Sequence, residues 1–193
     1  PLLEQKALQL AEGKILDVGA GSGCHTLALR KMGKEALAID ISPWSVKVME
    51  ARGLTARQVN LFDERFTERF DTILMLMNGS GIIGRLERMG DFFRRIRQLL
   101  NPGGQILMDS SDLRYLFEDE DGSYLVNLAG NYYGEIDFRM QYKQVKGDSF
   151  DWLYVDFDTL SAYAAQCGFR AECIQEGSHY DYLARLTVTD EAL

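Results

Sequence analysis

Residues Leu16 to Thr26 run LDVGAGSGCHT, with glycines at 19, 21 and 23 directly after an apolar run that contains Asp17. A glycine-only turn between a strand and a helix lets backbone approach a ligand closely at the positive end of the helix. The spacing is D-x-G-x-G-x-G, whereas dinucleotide-binding turns carry G-x-G-x-x-G. Asp40 closes a second apolar run, ALAID. A carboxylate there can accept hydrogen bonds from two ribose hydroxyls. Each feature also has a plain structural reading. The glycines can pack a helix on a strand, and Asp40 can simply precede the Ser42 N-cap.

Groups able to handle a proton lie further on. Asp109, Ser110, Ser111 and Asp112 follow the run QILMD, and His179 precedes the run from Tyr180 to Val188. In open α/β sheets ligands bind beyond the carboxyl ends of the strands. Asp109, Asp112 and His179 are therefore the catalytic candidates. Asp112 serves equally as a cap for the segment at Leu113. His179 approaches the site only if the last strand runs antiparallel. His25 is read as packing beside the glycine turn. Asn78-Gly79, after the apolar run DTILMLM, is both a turn dipeptide and a site candidate. The cysteines, Cys24, Cys167 and Cys173, are odd in number and form no C-x-x-C pair, so no metal and no disulfide framework is indicated. Buried thiols in a reducing cytosol are expected.

The elements that must position these groups alternate. Strands are expected at Lys14–Val18, Glu35–Asp40, Thr55–Val59, Asp71–Met77 and Gln105–Asp109. Helices are expected at Cys24–Met32, from Ser42-Pro43 to Gly53, and from Gly84 to Leu100, the last with Leu86, Met89, Phe93, Ile96 and Leu100 on one face. NPGG at 101–104 stops that helix. This rhythm predicts a doubly wound, mostly parallel α/β sheet. GEIDFRMQYKQ then alternates as a half-buried strand, with a turn at Gly147-Asp148 and a return at Phe150–Val155. A helix at Asp158–Cys167 and strands at Phe169–Gln175 and Tyr180–Val188 close the chain.

The bulk numbers narrow the partners. The 193 residues are 46% hydrophobic and 26% charged, the mixture of a soluble globular protein, and are expected to form one domain, 1–193, with a hairpin insertion at about 132–155. A formal charge of −8 repels a phosphate backbone, so a nucleic-acid partner is not expected. No run approaches the roughly 18 apolar residues of a membrane span, and no signal-peptide pattern is seen, so a cytoplasmic protein with no membrane partner is expected. The run Glu118–Asp121 before Gly122 is expected as a solvated loop.

LDVGAGSG, the acidic end of ALAID, DTILMLMN and LLNPGGQILMDSSD together resemble the class I S-adenosylmethionine-dependent methyltransferases over nearly the whole chain. The resemblance implies a seven-stranded sheet whose antiparallel last strand lies between the fifth and sixth. It also implies a cofactor, S-adenosylmethionine, with S-adenosylhomocysteine as product. Gly19, Ala20 and Gly21, with Gly23 completing the turn, would pass beneath its methionine part, and Asp17 would support its ammonium. Asp40 would hold the ribose and Ile41 would lie against the adenine. Asn60, Leu61 and Phe62 would edge the ring, and Met77 and Asn78 would face the sulfonium. Asn60 stands where the family often has an acid.

The expected acceptor is a small molecule. No N/D-P-P-Y/F motif follows the fourth strand, where MNGS stands instead. Arg85, Arg88, Arg94, Arg95 and Arg97 interleave with an apolar stripe and are read as a solvated face. The hairpin, rich in aromatics, is expected to wall the acceptor pocket or to form a homodimer contact, against the plain reading of packing on the sheet. The alternatives are a binding protein of the same fold without turnover, a nucleic-acid methyltransferase, which the missing motif and the acidic charge disfavour, and a nicotinamide-dependent oxidoreductase, which the glycine spacing disfavours.

Overall fold

The computed structural model describes residues 2–119 and 130–189. The strands are β1 (Ile15–Val18), β2 (Ala36–Asp40), β3 (Ala56–Gln58), β4 (Phe70–Met75), β5 (Leu100–Ser111), β6 (Glu135–Tyr142), β7 (Val145–Leu153), β8 (Phe169–Glu176) and β9 (Asp181–Val188). The α-helices are α1 (Leu2–Leu10), α2 (Cys24–Lys31), α3 (Pro43–Ala51), α4 (Met89–Leu99) and α5 (Phe157–Gln166). Seven strands form one sheet in the order β3-β2-β1-β4-β5-β9-β8. The first five pair in parallel, and β9 is antiparallel to both β5 and β8. This is the doubly wound sheet with an antiparallel last strand that the sequence predicts.

Burial on both faces explains why β1 and β4 are largely apolar rather than alternating. On one face Leu3, Ala7 and Leu8 of α1 pack with Ile15, Leu29, Leu74 and Leu107. On the other, α4 buries Met89, Phe92, Phe93, Ile96 and Leu99. Phe93 sits 4.9 Å from Phe169 and 5.2 Å from Phe92, ring to ring. Truncating such a ring to alanine costs about 3–5 kcal/mol. Ser42 caps α3, its Oγ accepting from the Ser45 N–H at 3.3 Å, with Pro43 in the first turn.

Several expectations need correction. α4 begins at Met89, not Gly84, because Gly84 adopts φ +88 and separates two 3₁₀ turns at Gly79–Ile83 and Leu86–Arg88. β4 ends at Met75, since Met77 and Asn78 are left-handed. NPGG is a bulge inside β5: Leu100 pairs with Phe70 and Gln105 with Thr72, leaving 101–104 opposite Asp71 alone. The hairpin turns at Lys143-Gln144, between paired Tyr142 and Val145. Gly147 and Asp148 instead form a bulge opposite Met140, where glycine's freedom serves the strand irregularity. Met140 and Val145 are 67% and 72% exposed, so the outer hairpin is not half-buried.

Among the described residues it is the hairpin's base that meets the body. Trp152 lies where a Cβ on Gly81 would stand, and Arg85 pairs with Asp151, Asp137 and Glu135. Cys24 and Cys173 are exposed rather than buried, and Cys167 is intermediate. Glu118 and Asp119 are exposed. Glu120, Asp121 and Gly122 lie outside the described residues.

Candidate active site

The carboxyl ends of β1, β2 and β4 converge on the glycine turn. Gly19, Gly21 and Gly23 all have positive φ, at +67, +57 and +79. They do different jobs. A Cβ on Gly23 would stand 2.6 Å from Leu54 and 2.8 Å from Met49, so this glycine permits close helix packing. A Cβ on Gly19 would stand 2.8 Å from Ile82, whereas Gly21 faces open space. The N–H groups of Gly19 and Ala20 donate to the Ile39 carbonyl at 2.9 and 3.1 Å. The turn therefore offers room more than free donors.

Gly21 N–H is spent on Asp40, donating to Oδ2 at 2.8 Å. Ser42 N–H donates to the other oxygen, Oδ1, also at 2.8 Å. Two backbone donors thus fix the carboxylate's orientation while each oxygen keeps accepting capacity. Ile41 beside it is 69% exposed.

Acidic groups surround the turn on its other side. Asp17 is buried and accepts from Thr26 Oγ1 at 2.6 Å, and burial raises its carboxyl above the usual range. His25 joins Glu4 of α1 at 3.1 Å, as a packing residue beside the turn. Asp109 does not face outward as a free base. Its Oδ2 and Oδ1 accept from the N–H groups of Met77 and Gly79, both at 3.1 Å. Burial pushes its carboxyl up to about 6, against the pull of those amides. Met77 and Asn78 are held left-handed (φ +65 and +57), and Ser111 Oγ donates to Asn78 Oδ1 at 2.8 Å. Strained backbone held from several sides is common where function needs fixed geometry.

Asn60 is exposed, its Oδ1 accepting from the Phe62 N–H at 2.9 Å. Leu61 is buried in the core, and Phe62 is half-buried beneath the Arg88 guanidinium, 4.5 Å from its ring centroid. Asp112 is committed, as capping predicts: it accepts from the N–H of Arg114 at 2.9 Å and pairs with that guanidinium. His179 is exposed at the β8–β9 turn, where Ser111 pairs with Asp181, so antiparallel entry does bring it to the carboxyl-end rim.

Sequence reasoning missed the polar cluster beside these groups. Asp156, the N-cap of α5, accepts from Tyr132 Oη at 2.6 Å and from Thr159 Oγ1 at 2.7 Å. Tyr133 Oη lies 2.9 Å from both Asp156 Oδ2 and Asp112 Oδ1, so one phenolic proton serves two carboxylates. Burial works against ionisation of Asp156, but the hydrogen bonds from Tyr132, Thr159 and Tyr133 hold its carboxyl below the usual range. Burial drives both phenols upward. Ser110 Oγ accepts from the Val155 N–H, tying this cluster to β5. The legible signal was Asp156 ahead of an apolar helix.

Arg95 is not part of a solvated face; it is buried, bonded to the 61–66 loop. Arg85 and Arg97 are also engaged, the latter with the carbonyls of Cys167 and Gly168. Two clefts of about 390 and 410 Å³ lie at the opposite, amino-terminal ends of the strands, one around Lys14 and Lys34, the other around Asp71 and Gln105.

An uncharacterized methyltransferase of Staphylococcus carnosus is 30% identical over 92% of this chain and 79% of its own length. The chain belongs to the S-adenosylmethionine-dependent methyltransferases. A family model described as a methyltransferase domain matches residues 16–106. A solved S-adenosylmethionine-dependent methyltransferase from Bacteroides fragilis, in complex with S-adenosyl-L-homocysteine, is 73% identical, with 98% of this chain and 78% of that chain covered and a TM-score of 0.93. The cypemycin N-terminal methyltransferase of a Streptomyces species is 29% identical, over 51% of this chain but only 42% of its own length. No helix among the described residues is long and apolar enough to cross a membrane.

Proposed function

We propose that this methyltransferase binds S-adenosylmethionine over the carboxyl ends of β1, β2 and β4 and methylates a small molecule in the cytoplasm. The observation that carries the reading is Asp40, whose two oxygens are oriented by separate backbone donors and still able to accept from a diol. The remaining parts of the cofactor fit what surrounds it. Asp17 and Asp109 lie beside the turn with carboxyls raised by burial, and an ammonium group bound there would favour their charged forms. Open space over Gly21 leaves room for an amino-acid tail flanked by Gly19 and Ala20, and Gly23 sets the turn. Ile41, Asn60, Leu61 and Phe62 bound the adenine, and Met77 and Asn78 lie toward the sulfonium.

Bound there, the cofactor supplies a methyl group already activated by a positive sulfur. The protein's work is then to exclude water and hold the acceptor in line, and positioning of this kind is worth about 7–11 kcal/mol. Asp109 contributes by fixing Met77 to Gly79 rather than by taking a proton. Tyr133, shared between Asp112 and Asp156, orients the acceptor, with His179 at the outer rim. The exposed outer hairpin is the surface offered to a homodimer. Its deletion would leave cofactor binding intact and lower the molar mass in sedimentation only if that contact exists.

Calorimetry with S-adenosylmethionine, S-adenosylhomocysteine and NADH, followed by transfer of labelled methyl to a metabolite panel, tests the reading. Uptake of the first two ligands and label in a low-molecular-weight product are expected. Label confined to nucleic acid or protein would refute the small-molecule acceptor, and no uptake of either sulfur nucleotide would refute the site.

A further inference from the structure

We propose that Arg95 is a positioning residue for nucleotide binding, acting through the loop between β3 and β4. This rests on the reading that Asn60 to Phe62 bound the adenine. Arg95 is 6% exposed. Its Nε donates to the Leu61 carbonyl at 2.7 Å, and its Nη2 donates to those of Asp63, at 2.8 Å, and Phe66. Its Nη1 donates to Gln98 Oε1 at 3.2 Å. One guanidinium thus gathers three carbonyls of a single loop. The Asp63 carboxylate is turned away to Arg65, so Arg95 is held by backbone dipoles rather than by a contact ion pair.

The loop needs such an anchor. It leaves β3, a three-residue strand at the edge of the sheet, and no strand among the described residues lies beyond it to bond with. Arg88, two helical turns before Arg95 and so on the same side of α4, covers the Phe62 ring. Arginine suits this task because its planar fork presents several donors at once, which a lysine ammonium cannot match. A loop fixed before the ligand arrives spares the ordering cost of binding.

The test compares Arg95→Lys, Arg95→Met and Arg88→Ala in the full chain by calorimetry with S-adenosylhomocysteine. Arg95→Lys and Arg95→Met should raise Kd about tenfold, and Arg88→Ala about threefold, at a stoichiometry near one. Amides 61–66 should exchange faster with solvent. A merely structural role would instead lower the stoichiometry and leave Kd unchanged. Arg88 is exposed, so its variant stays informative if the Arg95 variants do not fold. Kd within twofold of wild type in folded Arg95→Lys and Arg88→Ala overturns the proposal. No uptake by the wild type would overturn the cofactor reading itself, and this proposal with it.

Discussion

Replacing Asp40 with alanine removes the one side chain that both backbone donors at the β1 and β2 ends converge upon. Gly21 N–H and Ser42 N–H each lose a partner 2.8 Å away, but both lie near solvent and can be rehydrated. Stability should therefore change by about 1–2 kcal/mol at most. Binding should suffer more. A ribose diol would donate two hydrogen bonds to a charged acceptor, each worth about 1.5–3 kcal/mol. Halving that sum for a carboxylate in contact with solvent leaves about 1.5–3 kcal/mol, or roughly a 10- to 150-fold rise in Kd. Asp40→Asn is the sharper variant. An amide has one oxygen, yet Gly21 and Ser42 approach from opposite oxygens, so one donor must face an NH2 group. Its Kd should rise almost as far as that of the alanine variant. Titration calorimetry with S-adenosylhomocysteine, beside circular dichroism to establish folding, reads both. A Kd within threefold of wild type in either folded variant would refute the assignment of Asp40.

Two further outcomes follow from the buried groups. The Asp109 carboxyl titrates near 6 in the folded chain against an ordinary 3.8, so ionising it costs the native state stability as pH rises from about 4 to 6. Relative to Asp109→Asn, wild type should lose about 2–3 kcal/mol between pH 4 and pH 7 in urea unfolding, and a constant gap would refute the buried-carboxylate account. Tyr133→Phe removes the proton shared by Asp112 and Asp156. It should raise KM for the acceptor about tenfold without changing Kd for S-adenosylhomocysteine, and equal effects on both ligands would count against an acceptor-side role.

The sheet was legible because its signals are local. Apolar runs, Ser42-Pro43, and the glycines at 33 and 53 mark where elements start and stop, and most elements lie near their expected place, while α4, β5 and β7 each start about five residues away from it. The errors fall where tertiary contacts overrule a local signal. Gly147-Asp148 resembles a turn, but strand pairing closes the hairpin earlier, at Lys143. NPGG resembles a stop, yet its residues fit as a bulge because β4 continues alongside. The arginines of α4 resemble a wet face until a distant loop turns out to need one of them. No spacing within α4 could announce that Leu61, Asp63 and Phe66 would present carbonyls to Arg95.

The site divides along the same line. Asp17, the glycines and Asp40 belong to adjacent parallel strands, so their order in the chain already places them together. Asp109 is marked by its position alone, which leaves its task open. A carboxylate at a strand end can either face a ligand or tie down its neighbour's exit loop, and only the amides of Met77 and Gly79 decide between these. The cluster of Tyr132, Tyr133, Asp112 and Asp156 joins three separate segments and has no motif at all. Its chemistry is nevertheless constrained. Two carboxylates that share one phenolic proton cannot both be satisfied by it, and Arg114 already compensates Asp112. Asp156 relies instead on neutral donors, from Tyr132, Tyr133 and Thr159. Among the described residues no cation contacts Asp156 directly, so an acceptor bound beside it, as proposed, is expected to bring an N–H or O–H donor rather than an anion.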